Sequence, residues 1–358
     1  MKNIHHQLLD YLRSGEKIVL ATVIRTSGST PQKPGSSALF SDKGVVAGTV
    51  GGGLLEGEVQ QITQHVLISG ISDQYYFNLD SDQGEDGAIC GGEAEVLVDA
   101  NPVASGQALE TMADSLSQRK GGYMTTVVTE NPGNGRTIER FWITDETPLL
   151  KPAGLDQLIW GTISEYISGK PGPGFKELLI QSQAEGENRS VFIEPMNPMP
   201  HLVIAGAGHV GKALAHLGAL LDYEITVIDD RHEFANRGNI PDADRFIVDN
   251  IGTSMQGLNP GADTYIVIVT RGHDHDAEAL KPCIGSAAAY IGMIGSANKV
   301  AIMKKRFIER GWATEEQWSG IHTPVGIPIG SKSVQEIAVS IAAQLVKVRS
   351  QIHSDHVT

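Results

Sequence analysis

Two cysteines, Cys90 and Cys283, are all that this chain of 358 residues contains. A disulfide framework needs more, and so does a cysteine-rich zinc site, so both are excluded and a reducing compartment is expected. Basic residues are also short, 28 Lys and Arg against 42 Asp and Glu, which leaves a net charge of −14. Nucleic-acid phosphates are held by clustered cations, so no nucleic-acid partner is expected. A small anion held by backbone N–H groups is still allowed, because those act locally. Long apolar runs are missing too, and Met1 to Asp10 carries His and Gln where a signal peptide would be apolar. The expectation is a cytoplasmic protein with no membrane partner. What is there, 41% apolar and 20% charged residues, belongs to an ordered chain, and one too long for a single core.

The sharpest boundary is Glu194-Pro195-Met196-Asn197-Pro198-Met199-Pro200. Three prolines in six residues end regular structure, so this stretch reads as a linker between domains at 1–194 and 201–348. Beyond it, short apolar strands alternate with helical segments. His201 to Ala205, Ile225 to Ile228, Arg245 to Val248, Thr264 to Val269 and Tyr290 to Ile294 read as strands. Lys212 to Leu221 is a helix with one leucine face, and Ser333 to Glu336 is a capping box that opens the last helix. The fold class is therefore α/β, with a Rossmann-like, doubly wound parallel sheet at the C-terminal end. The N-terminal domain is an α/β layer whose topology the pattern does not give. Its strands are expected near Lys17–Ile24, Ser37–Phe40, Val45–Val50, Tyr75–Leu79, Glu95–Val98, Tyr123–Val128 and Ile138–Ile143. Helices are expected near Ile4–Leu12, Leu54–Ile68, Ala104–Leu116 and Leu155–Ser168.

The motif richest in chemistry is Gly206-Ala207-Gly208-His209-Val210-Gly211, between a strand and a helix. Gly206 permits the tight turn, Gly208 lets a pyrophosphate approach the backbone, and Gly211 lets helix and strand pack closely. The helix N–H groups would hold the phosphate charge. The competing reading is a glycine turn that only packs. The next strand ends in Asp229-Asp230-Arg231, where a ribose-binding acid is expected. Asp229 would accept from a ribose diol, whereas Arg231 could pair with a 2′-phosphate. Arg271-Gly272-His273-Asp274-His275-Asp276 follows the fourth strand and is read as a solvated loop lining the cleft. Neighbouring ligands in one loop rarely converge on an ion, so no metal site is assigned. Gly295 and Ser296 end the fifth strand and start a helix that could hold a second anion, or form a plain turn.

In the first domain Gly51-Gly52-Gly53 precedes a helix that carries Glu56. Three successive glycines are costly to order, so close backbone approach is expected at Gly52 and Gly53. No Gly-Lys-Ser/Thr ending follows, which excludes a P-loop. Glu56 is either an acid in the site or a first-turn residue favoured by the helix dipole. Cys90, beside Gly91 and Gly92, could act as a thiolate or as an inert small hydrophobe.

Together these segments resemble the xanthine dehydrogenase accessory protein family (XdhC/CoxI) over nearly the whole chain. The matching pieces are Ser29-Thr30-Pro31 to Pro34-Gly35, Gly52-Gly53 through Glu56-Gly57, and Cys90-Gly91-Gly92. They continue with Gly206 to Val210, Asp229 to Arg231, Thr270 to Asp276, Tyr290 to Ser296, and Ile321-His322-Thr323-Pro324-Val325-Gly326. The resemblance implies transient binding of molybdenum cofactor, as molybdopterin or its dinucleotide, and help with its sulfuration or insertion. The implied partners are a molybdenum hydroxylase such as xanthine dehydrogenase, a cysteine desulfurase and a second copy of the chain. Family members commonly carry Cys in the Gly-Gly-Cys-Val-Glu-Gly segment. Here that position is Leu54, so Cys90 handles molybdenum or sulfur, or the step is lacking. The Rossmann fingerprint by itself points to an NAD(P)-dependent oxidoreductase, and a nucleotide-sensing regulator would need only the same fold. No Tyr/Lys pair or His/Asp dyad has recognisable spacing, and no catalytic residue is assigned.

Overall fold

The computed structural model describes residues 4–30, 32–79, 92–146, 148–169, 171–172, 174–180 and 188–354. The chain divides into two compact units, residues 2–198 and residues 199–358.

The first unit runs α1 (Ile4–Ser14), β1 (Val19–Gly28), β2 (Ser37–Ser41), β3 (Gly44–Gly48), α2 (Gly53–Ser69), β4 (Asp73–Asn78) and β5 (Gly92–Asp99). These strands form an antiparallel sheet in the order β3-β2-β1-β5-β4. Alternation along β1 sorts its two faces, as the two-residue period of a strand requires. Val19, Ala21 and Val23 pack with Leu55, Val59 and Val66 of α2, while Leu20 joins Leu8 and Leu9 of α1. The chain continues through α3 (Gly106–Ser117), β6 (Gly122–Glu130), β7 (Arg136–Thr144), α4 (Gln157–Ser168), β8 (Lys176–Ile180) and β9 (Arg189–Met196). Its second antiparallel sheet has the order β7-β6-β9-β8. Ile24 and Leu97 of one sheet meet Val128, Ile138 and Phe192 of the other, and α4 covers the second sheet with Ile159, Ile163 and Ile167.

Two expectations are corrected here. β8 and β9 are strands that the pattern did not signal. β9 also runs into the segment read as linker, with Pro195 opposite Tyr123 of β6. The reason is local. β8 pairs with β9 only as far as Ile193, so at Pro195 one side of β9 has no strand needing an N–H.

The second unit alternates strand and helix: β10 (His201–Ala205), α5 (His209–Leu220), β11 (Glu224–Asp229), β12 (Arg245–Val248), α6 (Ile251–Gln256), β13 (Thr264–Ile268), α7 (His273–Leu280) and β14 (Tyr290–Met293). Then come α8 (Ala297–Glu309), α9 (Glu315–Ser319) and α10 (Val334–Ser354). The sheet is wholly parallel, in the order β12-β11-β10-β13-β14. Both faces are covered, which explains strands that are apolar throughout. Leu202, Ile204, Val227 and Val267 pack towards α5 and α10. Val203, Ala205, Ile266 and Ile268 pack towards α6, α7 and α8. This is the doubly wound sheet expected, and α10 begins at the Ser333/Glu336 capping box, whose two reciprocal bonds are 3.2 and 2.8 Å. No described helix is long and apolar enough to cross a membrane.

Candidate functional site

The order of the parallel sheet reverses between β10 and β13, and a crevice forms beyond the carboxyl ends of the strands at such a reversal. The glycine turn leaves β10 at that point. Gly206 has φ +119°, and a Cβ there would meet the Val269 carbonyl oxygen of the neighbouring strand end at 2.5 Å. A Cβ on Gly211 would lie 2.0 Å from the Gly206 carbonyl oxygen. Both residues are thus glycine for want of room. Gly208 differs, since a Cβ there would meet nothing within 4 Å. It is the N-cap of α5 and offers no side-chain cap, so no cap side chain accepts from the first-turn N–H groups, His209's among them.

Asp229 and Asp230 have separate environments. Asp229 is 1% exposed. It accepts from the Ala207 N–H at 2.7 Å, the Arg231 N–H at 3.0 Å, and two guanidinium nitrogens of Arg231, each at 2.8 Å. Burial by itself would push this carboxyl up. The bonds from Arg231 and Ala207 outweigh it and hold the group below its ordinary value. Asp229 therefore ties the glycine turn to the end of β11 and fixes Arg231, which also stacks over the Phe234 ring. Asp230 is the carboxylate turned outwards, paired with Arg271 at 2.7 Å.

The stretch Arg271 to Asp276 corrects another expectation. Instead of a solvated loop it is the start of α7, with His273 as the first helical residue. Asp276 is fully buried, paired with Lys299 and accepting from the Thr270 hydroxyl and, at 3.2 Å, the Thr270 N–H. Helical spacing carries it inwards while the start of α7 stays at the sheet edge. Gly295 and Ser296 follow β14 at that edge, and Ser296 caps α8 by accepting from the Lys299 N–H at 3.3 Å. Among the described residues no group of three or more His, Cys, Asp or Glu could hold a metal ion. Cys283 is buried, which pushes its thiol up to about 12 and leaves no thiolate near neutral pH.

The structure thus gathers Gly206, Gly208, His209, Gly211, Asp229, Asp230, Arg231, His273, Gly295 and Ser296 at the carboxyl edge of one sheet. The remaining candidates lie in the first unit. Gly51, Gly52 and Gly53 all have positive φ, and a Cβ on Gly52 or Gly53 would meet nothing within 4 Å. Backbone shape, not crowding, requires glycine there. Glu56 accepts from the Thr49 hydroxyl at 2.7 Å and the Val50 N–H at 3.4 Å, so it braces the loop ahead of α2. Leu54 is 64% exposed at the start of that helix. Cys90 lies outside the described residues. Sequence reading placed Arg271 and Thr270 inside motifs without giving either a role, and did not single out Lys299, since their partners are remote in sequence or, for Thr270, lie across a turn not read as helical.

The family model described as the XdhC Rossmann domain matches residues 202–345. That described as the XdhC and CoxI family matches residues 11–77. The chain belongs to the XdhC and CoxI family. A relative from Bacillus subtilis strain 168, named as a probable xanthine dehydrogenase subunit, is 27% identical over 98% of this chain and 99% of its own length. The uncharacterized protein YqeB of Escherichia coli K12 is 34% identical over 46% of this chain, and the match spans only 30% of YqeB. A solved chain described as a xanthine dehydrogenase from Bacillus halodurans has the same fold, with a TM-score of 0.74 at 23% identity over 97% of this chain and 96% of that one. In this XdhC and CoxI chain the edge built around Gly206 thus falls inside the XdhC Rossmann domain.

Proposed function

We propose that the chain is an accessory protein of a xanthine dehydrogenase-type molybdenum hydroxylase, and that it holds molybdenum cofactor as cargo by its phosphate end. The observation that carries this reading is the turn at Gly206 to Gly211, open at Gly208 and backed by the uncapped start of α5. A molybdopterin phosphate, or the pyrophosphate of its dinucleotide, would meet the uncapped N–H groups of the first turn of α5 there. Family membership and the name of the full-length Bacillus subtilis relative support the choice of client. Assistance in sulfuration or insertion, with a cysteine desulfurase as sulfur source and a second copy of the chain as partner, belongs to the same reading. The described residues supply donors for the phosphate end alone, so no step at the molybdenum is assigned to them.

The test is to identify the ligand released by denaturing the purified protein, by mass spectrometry, and to measure activation of apo-xanthine dehydrogenase on mixing. Released molybdopterin together with activation supports the proposal. Released NAD(P), with a substrate-dependent nicotinamide absorbance change, would transfer the assignment to an oxidoreductase. Gly208→Val is expected to keep its melting temperature within a few degrees, because the new side chain enters open space, and to lose the ligand. Unchanged ligand content in that variant places the ligand elsewhere.

A further inference from the structure

Asp230 and Arg271 stand on opposite sides of the glycine turn. Asp230 directly follows β11, and Arg271 comes shortly after β13, while β10 lies between those strands. Their ion pair, Nη2 to Oδ2 at 2.7 Å, therefore reaches across the carboxyl end of β10, where the turn begins. Both partners are open to solvent, with Arg271 and Asp230 side chains 48% and 33% exposed. The backbone under Arg271 is fixed, because the Thr270 N–H donates to buried Asp276. Asp230 has one further cation nearby, Arg231, whose Nε is 3.9 Å away, but that guanidinium is already held in a two-pronged pair by Asp229.

We propose that Asp230 and Arg271 form a clasp across the phosphate turn that opens when a nucleoside diphosphate group binds. The proposal rests on the reading of Gly206–Gly211 as a phosphate turn. Arg271 exchanges the Asp230 carboxylate for a phosphate oxygen, an acceptor that matches its planar fork equally well. Asp230, released, accepts hydrogen bonds from the ribose hydroxyls. Asp229, which chain spacing assigns to the ribose, is buried with both oxygens engaged, so Asp230 is the carboxylate left for that task. One charge-assisted pair replaces another, so opening costs little only for a ligand that satisfies both partners. Bare phosphate would take Arg271 and leave Asp230 facing a like charge. A ribose 2′-phosphate would meet the same repulsion. The clasp thus selects a diphosphate attached to an unmodified ribose.

Calorimetric titration of the full-length protein with ADP, 2′-deoxy-ADP and inorganic pyrophosphate tests this. The wild type is expected to prefer ADP to 2′-deoxy-ADP. Asp230→Asn should abolish that preference and tighten pyrophosphate several-fold, since the competing carboxylate is gone. Arg271→Gln should weaken all three probes about tenfold. Both side chains are exposed, so melting temperatures should stay at the wild-type value. Suppose instead that ADP binds, Gly208→Val prevents it, and both clasp variants match the wild type. The clasp is then overturned while the phosphate turn stands. Equal losses of ADP and 2′-deoxy-ADP in Asp230→Asn overturn the ribose role. If the wild type binds none of the probes, the phosphate-turn reading fails and the clasp with it.

Discussion

At the scale of single residues, Asp229 shows how a carboxylate can be buried and still remain ionised. Its desolvation is offset by the Ala207 N–H and by the Arg231 backbone and guanidinium. Removing the charge takes from the part-exposed Arg231 its main partner and weakens the acceptor for the buried Ala207 N–H, so Asp229→Asn is expected to cost about 1–3 kcal/mol in denaturant melts. The pH dependence follows from the direction of the shift. The folded-state value lies below the unfolded one, so this stabilisation is complete above the ordinary carboxylate value of ~3.9 and is lost as pH falls through the depressed native value. The stability curve of Asp229→Asn should accordingly be flatter than the wild type's on the acid side of pH ~4. An acid limb of unchanged slope would show that the carboxylate is not the linked group. The sequence showed an acid at the right distance from the turn. It could not show which of two adjacent acids faces inwards, because that depends on how the chain bends after β11.

At the scale of elements, α7 is tied down by an interaction that local sequence conceals. Asp276 enters the core and is met by Lys299 of α8. Lys299→Met would leave that carboxylate buried without its partner, at an expected cost of about 3–5 kcal/mol, measurable in urea unfolding. The double variant Asp276→Asn/Lys299→Met should recover part of the loss, because the uncompensated charge is then absent. If both variants lose equally, the pair is not what holds α7. Elements with a strong period were legible. β10, β11, β13 and α5 lie within a few residues of their expected places, and the Ser333 capping box marks the start of α10. The misses have physical causes. The acidic, histidine-rich start of α7 looks like loop composition, although Asp274 and Asp276 in a first turn favour the helix dipole. β9 was hidden by Pro195, which is harmless only because β8 stops pairing short of it.

At the scale of the whole molecule, charge sets the partners that can be reached from a distance. With a net charge of −14, a labelled DNA duplex should show no measurable binding at about 0.15 M salt in fluorescence anisotropy. Saturable binding there would contradict the composition argument. The proposed phosphate site does not depend on net charge, because it would be built from backbone N–H groups and one local cation, Arg271.

The sequence by itself determined the alternation of strands and helices in the second unit, the glycine turn between a strand and a helix, and the family resemblance, since all three rest on local order along the chain. Only the tertiary structure decided that the sheet reverses beside Gly206, that Asp229 is consumed in bracing the turn, and that Arg271 meets Asp230 across β10. The physical reason is distance along the chain. A turn is specified by neighbouring residues, whereas an ion pair spanning 41 positions exists only once the strands between them have been ordered into a sheet.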